Sequence, residues 1–373
     1  MSELEKRPSI PREGKQTELT AEDIDLDAKL RSHLLLQLET ELGRYALPDV
    51  AEKLQMALRH RRDTETGETA ATSGRQFAEM LTAELQTLSQ DQQLRVHFSP
   101  VPLPDLSAAS PPTTAELAHQ RAQSQQRSYD INRVERLGGN VGYLQLFGFE
   151  PPEFAGASLA AAMTLLAHTD ALVIDLRHNQ GGSPQMVALL CSYLLPAYPA
   201  VHLSTLQWPP SGNPNDEHAD GRSIQSWTVP HLDAPRYLDR PVYALSSPET
   251  RAAAEEFVYV LQHLKRIVLV GETTAGGANP GQGYRLHDHF WVFIPTGRVV
   301  SPLTQANWSG TGVIPDFKVP SELAVTTGHL LALKHLERNG LGLQREIQAV
   351  MPTVEQRLDQ MQHDLIGQMT GRG

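Results

Sequence analysis

Cysteine is almost absent: Cys191 is the one thiol in 373 residues. That excludes an internal disulfide framework and any cysteine-based metal knuckle. Fifteen histidines are present, but none falls in an HExxH or comparably spaced set. His287-Asp288-His289 alone is a weak metal signature, so no metal and no cofactor are expected. Long apolar runs are missing too. No stretch reaches membrane length, and the opening residues MSELEKRPSIPREGKQTELTAED hold no apolar signal core, so the expectation is a soluble, cytoplasmic protein without a membrane span. Nor is there a basic footprint. The 43 acidic residues outnumber 32 basic ones without long runs, a net −11 that argues against nucleic acid or an anionic membrane as partner.

What is present is patterned. The length suits one large α/β unit with a satellite. Residues 1–20 are polar and predict a disordered arm. Residues 21–95 predict a helical subdomain: Leu30, Leu34, Leu38 and Leu42 recur every fourth residue, Pro48 opens a second helix with Val50, Leu54, Ala57 and Leu58, and Phe77, Met80, Leu81, Leu85 and Leu88 mark a third. Residues 96–135 read as a connector after a short strand at Leu94 to Phe98, too short and too poor in strand pattern for a PDZ-type module. From 136 to 325 the texture is α/β. GYLQLFGF, the doubly buried run ALVIDLR, RIVLVGE and FWVFIP read as strands, and the Pro-rich stretch Trp208 to Leu238 as a surface loop or lid. Residues 326–373 read as a helical tail.

One stretch looks like an active-site corner. Val242 to Leu245 predicts a buried strand, Ser246 to Thr250 a turn, and from Arg251 the apolar residues follow helix spacing. The amides of Ala252 and Ala253, in the first helical turn, are free to hold an anion or a developing oxyanion. Yet no nucleophile stands beside them. Ser246 and Ser247 read either as displaced nucleophiles or as caps of a helix opening at Pro248. Arg251 either binds a carboxylate or pairs with Glu255 four residues on. His178 stands at the presumed cleft mouth. His97 reads as structural or surface, and His287 and His289 as pointing one way on a strand end with Asp288 opposite. Cys191 reads as a core residue. Trp291, Phe293 and Trp308 read as core, although aromatics near the cleft would suit a flat apolar ligand.

Five segments, GNVGYLQLFGF, ALVIDLRHNQGGSPQMVALL, TRAAAEEFVYVL, VLVGETTAGGANPG and NWSGTGVIPD, resemble in order and spacing the S41 serine peptidases, the C-terminal-processing or tail-specific protease superfamily. The likeness is to the branch of the interphotoreceptor retinoid-binding protein repeats and tricorn-like proteases, and RYALPDVAEKL with LTAELQTLSQDQQLRV extends it to the helical region. It covers roughly residues 25–340. The resemblance implies a crotonase-like ββα core with an N-terminal helical cap, and cooperating serine, histidine and glutamate. In such relatives the serine begins the helix in T-x-S-A-A-E, the histidine sits in D-x-H, and the glutamate follows N-W. This chain holds Ala252, Gln93 and Ser309 at those positions. A methyl cannot attack, a glutamine cannot take the proton, and a serine hydroxyl cannot balance an imidazolium.

The binding frame is expected to survive that loss. Gly181 and Gly182 let backbone approach a ligand, and their amides with that of Ala253 either form an oxyanion-type nest or only make the turn. With Arg251, His178, Ser247 and Trp308 they complete the candidate ligand set. The leading expectation is a degenerate S41-like protein that binds a small, partly apolar molecule or performs cyclase, lyase or isomerase chemistry. The alternatives are a serine peptidase or esterase with a displaced nucleophile, and a scaffold that holds peptides without cutting them. Self-association is left open.

Overall fold

A computed structural model describes residues 23–64, 73–103, 113–210 and 221–369; the arm expected over residues 1–20 lies outside them. The leucines spaced by four build α1 (Ala28–Glu41), which begins where Asp27 accepts from the Leu30 amide at 2.7 Å. Helix α2 (Pro48–Thr64) opens on a proline, whose missing N–H has no partner to lose in a first turn, and α3 (Gly74–Ser89) is capped by Ser73. Their apolar stripes close on one another through Leu34, Leu38, Leu54, Leu58, Phe77, Leu81 and Leu85, while Leu88 stays exposed. The helices do not complete this core alone. Strand β1 (Arg95–Phe98) pairs antiparallel with β10 (Phe290–Pro295), which pairs with β9 (Gly281–His287), and Leu286, Phe290, Val292 and Ile294 fill the remaining side.

The expected connector carries a helix, α4 (Thr114–Gln126). Thr113 accepts from the Glu116 amide, and Glu116 in turn accepts from the Thr113 amide at 2.6 Å. This reciprocal cap partners amides that a first turn otherwise leaves bare, which is how a polar, Ser- and Gln-rich segment holds a helix.

The main sheet contains β2 (Ile131–Leu137), β3 (Val141–Leu146), β4 (Ala171–Asp175), β7 (Val242–Ser246), β8 (Val268–Gly271) and β12 (Phe317–Lys318), in the order β12-β8-β7-β4-β3-β2. All neighbours run parallel except β2 against β3. Strands β4 and β7 are buried at every residue because helices cover both faces. On one face lie α5 (Pro152–Leu166), α6 (Pro184–Leu194) and α7 (Ala253–His263). On the other lie α8 (Ser321–Arg338) and α9 (Gln344–Met369). Helix α8 packs on β4 and β7, and the expected boundary between residues 325 and 326 falls inside it.

A third sheet, β11 (Arg298–Val300), β5 (His202–Trp208) and β6 (Arg222–Trp227), corrects the reading of Trp208 to Leu238 as loop alone. Its residues 222–227 pair with β5, Trp208 lying opposite Arg222. Residues 211–220 of that excursion fall outside the described part. The segment His287 to His289 also differs from expectation: Asp288 and His289 make the turn between β9 and β10, so no single strand carries both histidines.

Candidate active site

The site forms where the loops after β4 and β7 meet, at the C-terminal ends of adjacent parallel strands. Asp175 anchors the first loop. It accepts from Tyr143 Oη at 2.6 Å and from the Arg177 guanidinium at 2.9 and 2.8 Å, and Arg177 donates onward to the Ser321 carbonyl. Burial alone would raise the Asp175 carboxyl, but Arg177 outweighs it and holds the pKa below the usual range. The second loop lies against the first: the Arg251 amide donates to the Asn179 carbonyl at 3.0 Å, and Gln180 Nε2 to the Glu249 carbonyl at 3.3 Å.

At the contact of these loops stands Ala252, with φ 48° and ψ −115°. This is a region a residue with a Cβ rarely enters, and holding one there costs about 1–3 kcal/mol. The strained turn from strand to helix is the geometry that exposes a nucleophile in hydrolase elbows. Three contacts hold it. The Glu255 carboxylate accepts from the Ala252 amide at 3.0 Å, Gly181 packs so close that a Cβ there would lie 2.9 Å from that of Ala252, and the helix starts at once. The helix begins at Ala253, two residues later than the apolar spacing suggested, because the elbow uses Arg251 and Ala252.

Glu255 is fully buried and binds the glycine-rich loop between β8 and β9, residues 272–280, to the elbow. One carboxylate oxygen accepts from Thr274 Oγ1 at 2.5 Å and the Gly276 amide at 2.6 Å; the other accepts from the Gly277 amide at 2.9 Å besides Ala252. Burial raises its pKa, and these four donors pull against the rise. Of the two roles open to Arg251, pairing with Glu255 is not made: the carboxylate is fully occupied, Arg251 lies outside the helix, and its exposed side chain has no ion-pair partner among the described residues.

Gln93 lies on the other side of the glycine-rich loop. Its amide makes two hydrogen bonds to one residue, donating to the Asn279 carbonyl at 3.2 Å and accepting from the Asn279 N–H at 3.1 Å. Asn279 reaches Ser309 Oγ at 3.4 Å and accepts from Asn307 Nδ2 at 3.0 Å. A Cβ on Gly277 would lie 3.6 Å from both Gln93 Nε2 and a Glu255 oxygen. Ala252, Gln93 and Ser309 are thus linked through Glu255, Gly277 and Asn279.

The amide nest is smaller than expected. Gly181 N–H donates to Asn179 Oδ1 at 2.9 Å, so it is spent on the turn. The amides of Gly182 and Ala253 have no partner among the described residues, and Gly182 is open to solvent. Gly182 keeps φ 132°, and a side chain there would collide with the Phe149 carbonyl.

Ser247 does not cap a helix at Pro248, since none starts there. Its hydroxyl donates to the Arg177 carbonyl and accepts from the Glu249 amide, and the residue is 4% exposed. His178 is exposed in the loop after β4 and pairs through Nδ1 with Glu249 at 2.9 Å, beside Phe147. Trp308 lies in the core at 2% exposure, its ring 5.1 Å from that of Tyr259 and its indole N–H without a partner among the described residues. His97 stacks on Trp291 at 3.9 Å, well accounted for as structure. Sequence reasoning missed Asn279 and Glu249. The first had a signal in the unusual loop GGANPG; the second had none, because its partner His178 comes from the loop after β4, 71 residues away. Among the described residues no cluster of three or more His, Cys, Asp or Glu is placed to hold a metal, and no helix is long and apolar enough to cross a membrane.

Two family models match: peptidase family S41 over residues 140–319, and the N-terminal domain of Peptidase_S41 in eukaryotic IRBP over residues 26–134. The chain is similar to carboxyl-terminal-processing peptidase 1, chloroplastic, of Arabidopsis thaliana, with 26% identity over 193 residues, 51% of this chain and 36% of that protein. It spans little more than a third of that relative's length. It is similar in fold to a candidate peptidase from Parabacteroides merdae ATCC 43184, with a TM-score of 0.51 and 16% identity, over 88% of this chain and 97% of that one. The photosystem II D1 C-terminal processing protease is similar at 22% identity and a TM-score of 0.38, over 49% of this chain and 43% of that one. With both the helical region and the α/β region matched by models of one family, the chain belongs to peptidase family S41.

Proposed function

We propose that this chain keeps the S41 frame without its hydrolytic chemistry and uses the cleft to bind a small, partly apolar molecule. The observation that carries this reading is Ala252, a residue with only a methyl group held in the strained conformation of a nucleophile elbow. Around it stand the Glu255 carboxylate and the Gly182 and Ala253 amides, which have no partner among the described residues, while Gln93 is tied to Asn279 and cannot act as a base. The main sheet with α5 to α8 is taken as a crotonase-like core, the helices up to about residue 95 as its cap, with no PDZ module. A cytoplasmic setting belongs to the same proposal. The bonded, buried hydroxyl of Ser247 counts against a displaced serine nucleophile. The two free amides favour a second reading, stabilisation of an enolate or oxyanion in a non-hydrolytic reaction.

The test compares the native chain with a variant carrying Ala252→Ser, Gln93→His and Ser309→Glu, using casein, p-nitrophenyl esters and a fluorophosphonate label. The native chain is expected to stay unlabelled and inert. Hydrolysis or labelling of the native chain would sink the proposal whatever the variant does. For the binding half, a ligand present at a hundredfold its Kd should add about 2.7 kcal/mol to the apparent stability of the native chain. A broad panel of small apolar molecules that never raises the melting temperature would count against it.

A further inference from the structure

The pairing that sets β11 and β6 on either side of β5 leaves an open cavity beside this small sheet. It measures about 470 Å³ and is lined by Gln207, Trp208, Arg222 and Arg298, with Ala46 and Leu47 from the loop before α2 supplying apolar wall. The guanidinium of exposed Arg222 lies over the Trp208 ring, 5.6 Å from its centroid. Half-buried Arg298 comes from β11, opposite Gln207. Neither arginine has a carboxylate partner among the described residues. Several other arginines do have one: Arg59 and Arg62 share Glu39, Arg127 holds Asp130 and Glu150, and Arg136 holds Glu346. Two cations at one cavity with no carboxylate partner among the described residues, in a chain of net charge −11, favour an anion there.

We propose that this cavity binds a carboxylate carried on a flat apolar group. A guanidinium fork matches a carboxylate with two parallel N–H···O bonds, and an indole face with aliphatic neighbours accepts a planar ring. The volume falls within the roughly 300–1,000 Å³ usual for small-molecule sites. Trp208 at the cavity wall also faces the loop that carries Asn279. Gly297 separates the Trp208 indole from Pro280 so tightly that a Cβ there would lie 2.9 Å from Trp208 Nε1 and 3.0 Å from Pro280 Cγ, and Pro280 follows Asn279. The assignment does not depend on whether hydrolysis has been lost at Ala252, since it rests on different residues.

The experiment is calorimetric titration of the full chain with 1-naphthoate, and with 1-naphthamide as its neutral twin. Naphthoate should bind about tenfold more tightly than naphthamide, Arg222→Gln and Arg298→Gln should each remove about that factor for naphthoate alone, and Trp208→Phe should weaken both ligands. In the native chain, which needs no variant to fold, added salt should weaken naphthoate and leave naphthamide unchanged. Equal affinity for the two compounds, salt-independent naphthoate binding, no naphthoate binding at millimolar concentration, or unchanged binding in a folded Arg222→Gln/Arg298→Gln variant would each overturn the assignment.

Discussion

Replacing Ala252 by glycine should make the protein more stable, although it removes a methyl group and adds no contact. The backbone there sits at φ 48°, ψ −115°, and the residue is exposed, so the lost methyl gives up little buried surface. Relief of the strained conformation is worth about 1–3 kcal/mol. Against it stands about 0.5–1 kcal/mol for the greater freedom of glycine in the unfolded chain. The net expectation for Ala252→Gly is a gain of about 1 kcal/mol, read by urea unfolding followed through tryptophan fluorescence. The converse change, Gly181→Ala, sets a Cβ 2.9 Å from that of Ala252 and 3.1 Å from the Arg251 carbonyl at φ 95°. It should cost about 2–4 kcal/mol, and about 1 kcal/mol of that should vanish in the Ala252→Gly background, because the tightest of the close contacts is then absent. A loss of more than about 1 kcal/mol in Ala252→Gly, or a double-mutant cycle with no coupling, would refute the placement of strain at the elbow.

Three further outcomes follow from the same geometry. Glu256 is buried with Ser204 as its hydrogen-bond donor at 2.6 Å, and burial raises its pKa. A carboxyl raised on folding contributes stability that is full below its unfolded pKa and lost as pH rises through the folded one, so Glu256→Gln should gain stability over the native chain toward neutral pH and show no gain in acid. Gln93→Ala breaks both bonds to Asn279 and should cost about 1–3 kcal/mol, as measured by unfolding, whereas Gln93→Glu keeps the acceptor but loses the donor and should fall between. Ser247→Ala should lower stability by about 1–2 kcal/mol through the loss of its bond to the Arg177 carbonyl, with no change in fluorophosphonate labelling; labelling that disappears with this hydroxyl would restore Ser247 as a nucleophile.

Much of the frame was written locally and could be read locally. Leucines spaced by four mark α1 because helix geometry puts them on one face, and ALVIDLR marks β4 because a strand covered on both sides has no polar face to show. The identities of Ala252, Gln93 and Ser309 were equally legible, and the proposal that they stand where S41 relatives carry serine, histidine and glutamate rests on the sequence resemblance alone. Helix α4 is not legible from composition, because its start rests on the four residues of its capping box. Tertiary structure decided what those residues now do. Gln93 and Asn279 are separated by 186 positions, and the sequence pattern around neither one indicates that the glutamine amide will close on the asparagine backbone. The core of the N-terminal helices is completed by a hairpin from residues 281–295, and the conformation of Ala252 is imposed by Glu255 and Gly181. Periodicity and side-chain chemistry belong to single segments and survive in the linear chain; strain, burial and hydrogen-bond partnership belong to pairs of segments and exist only once the sheet has brought them together.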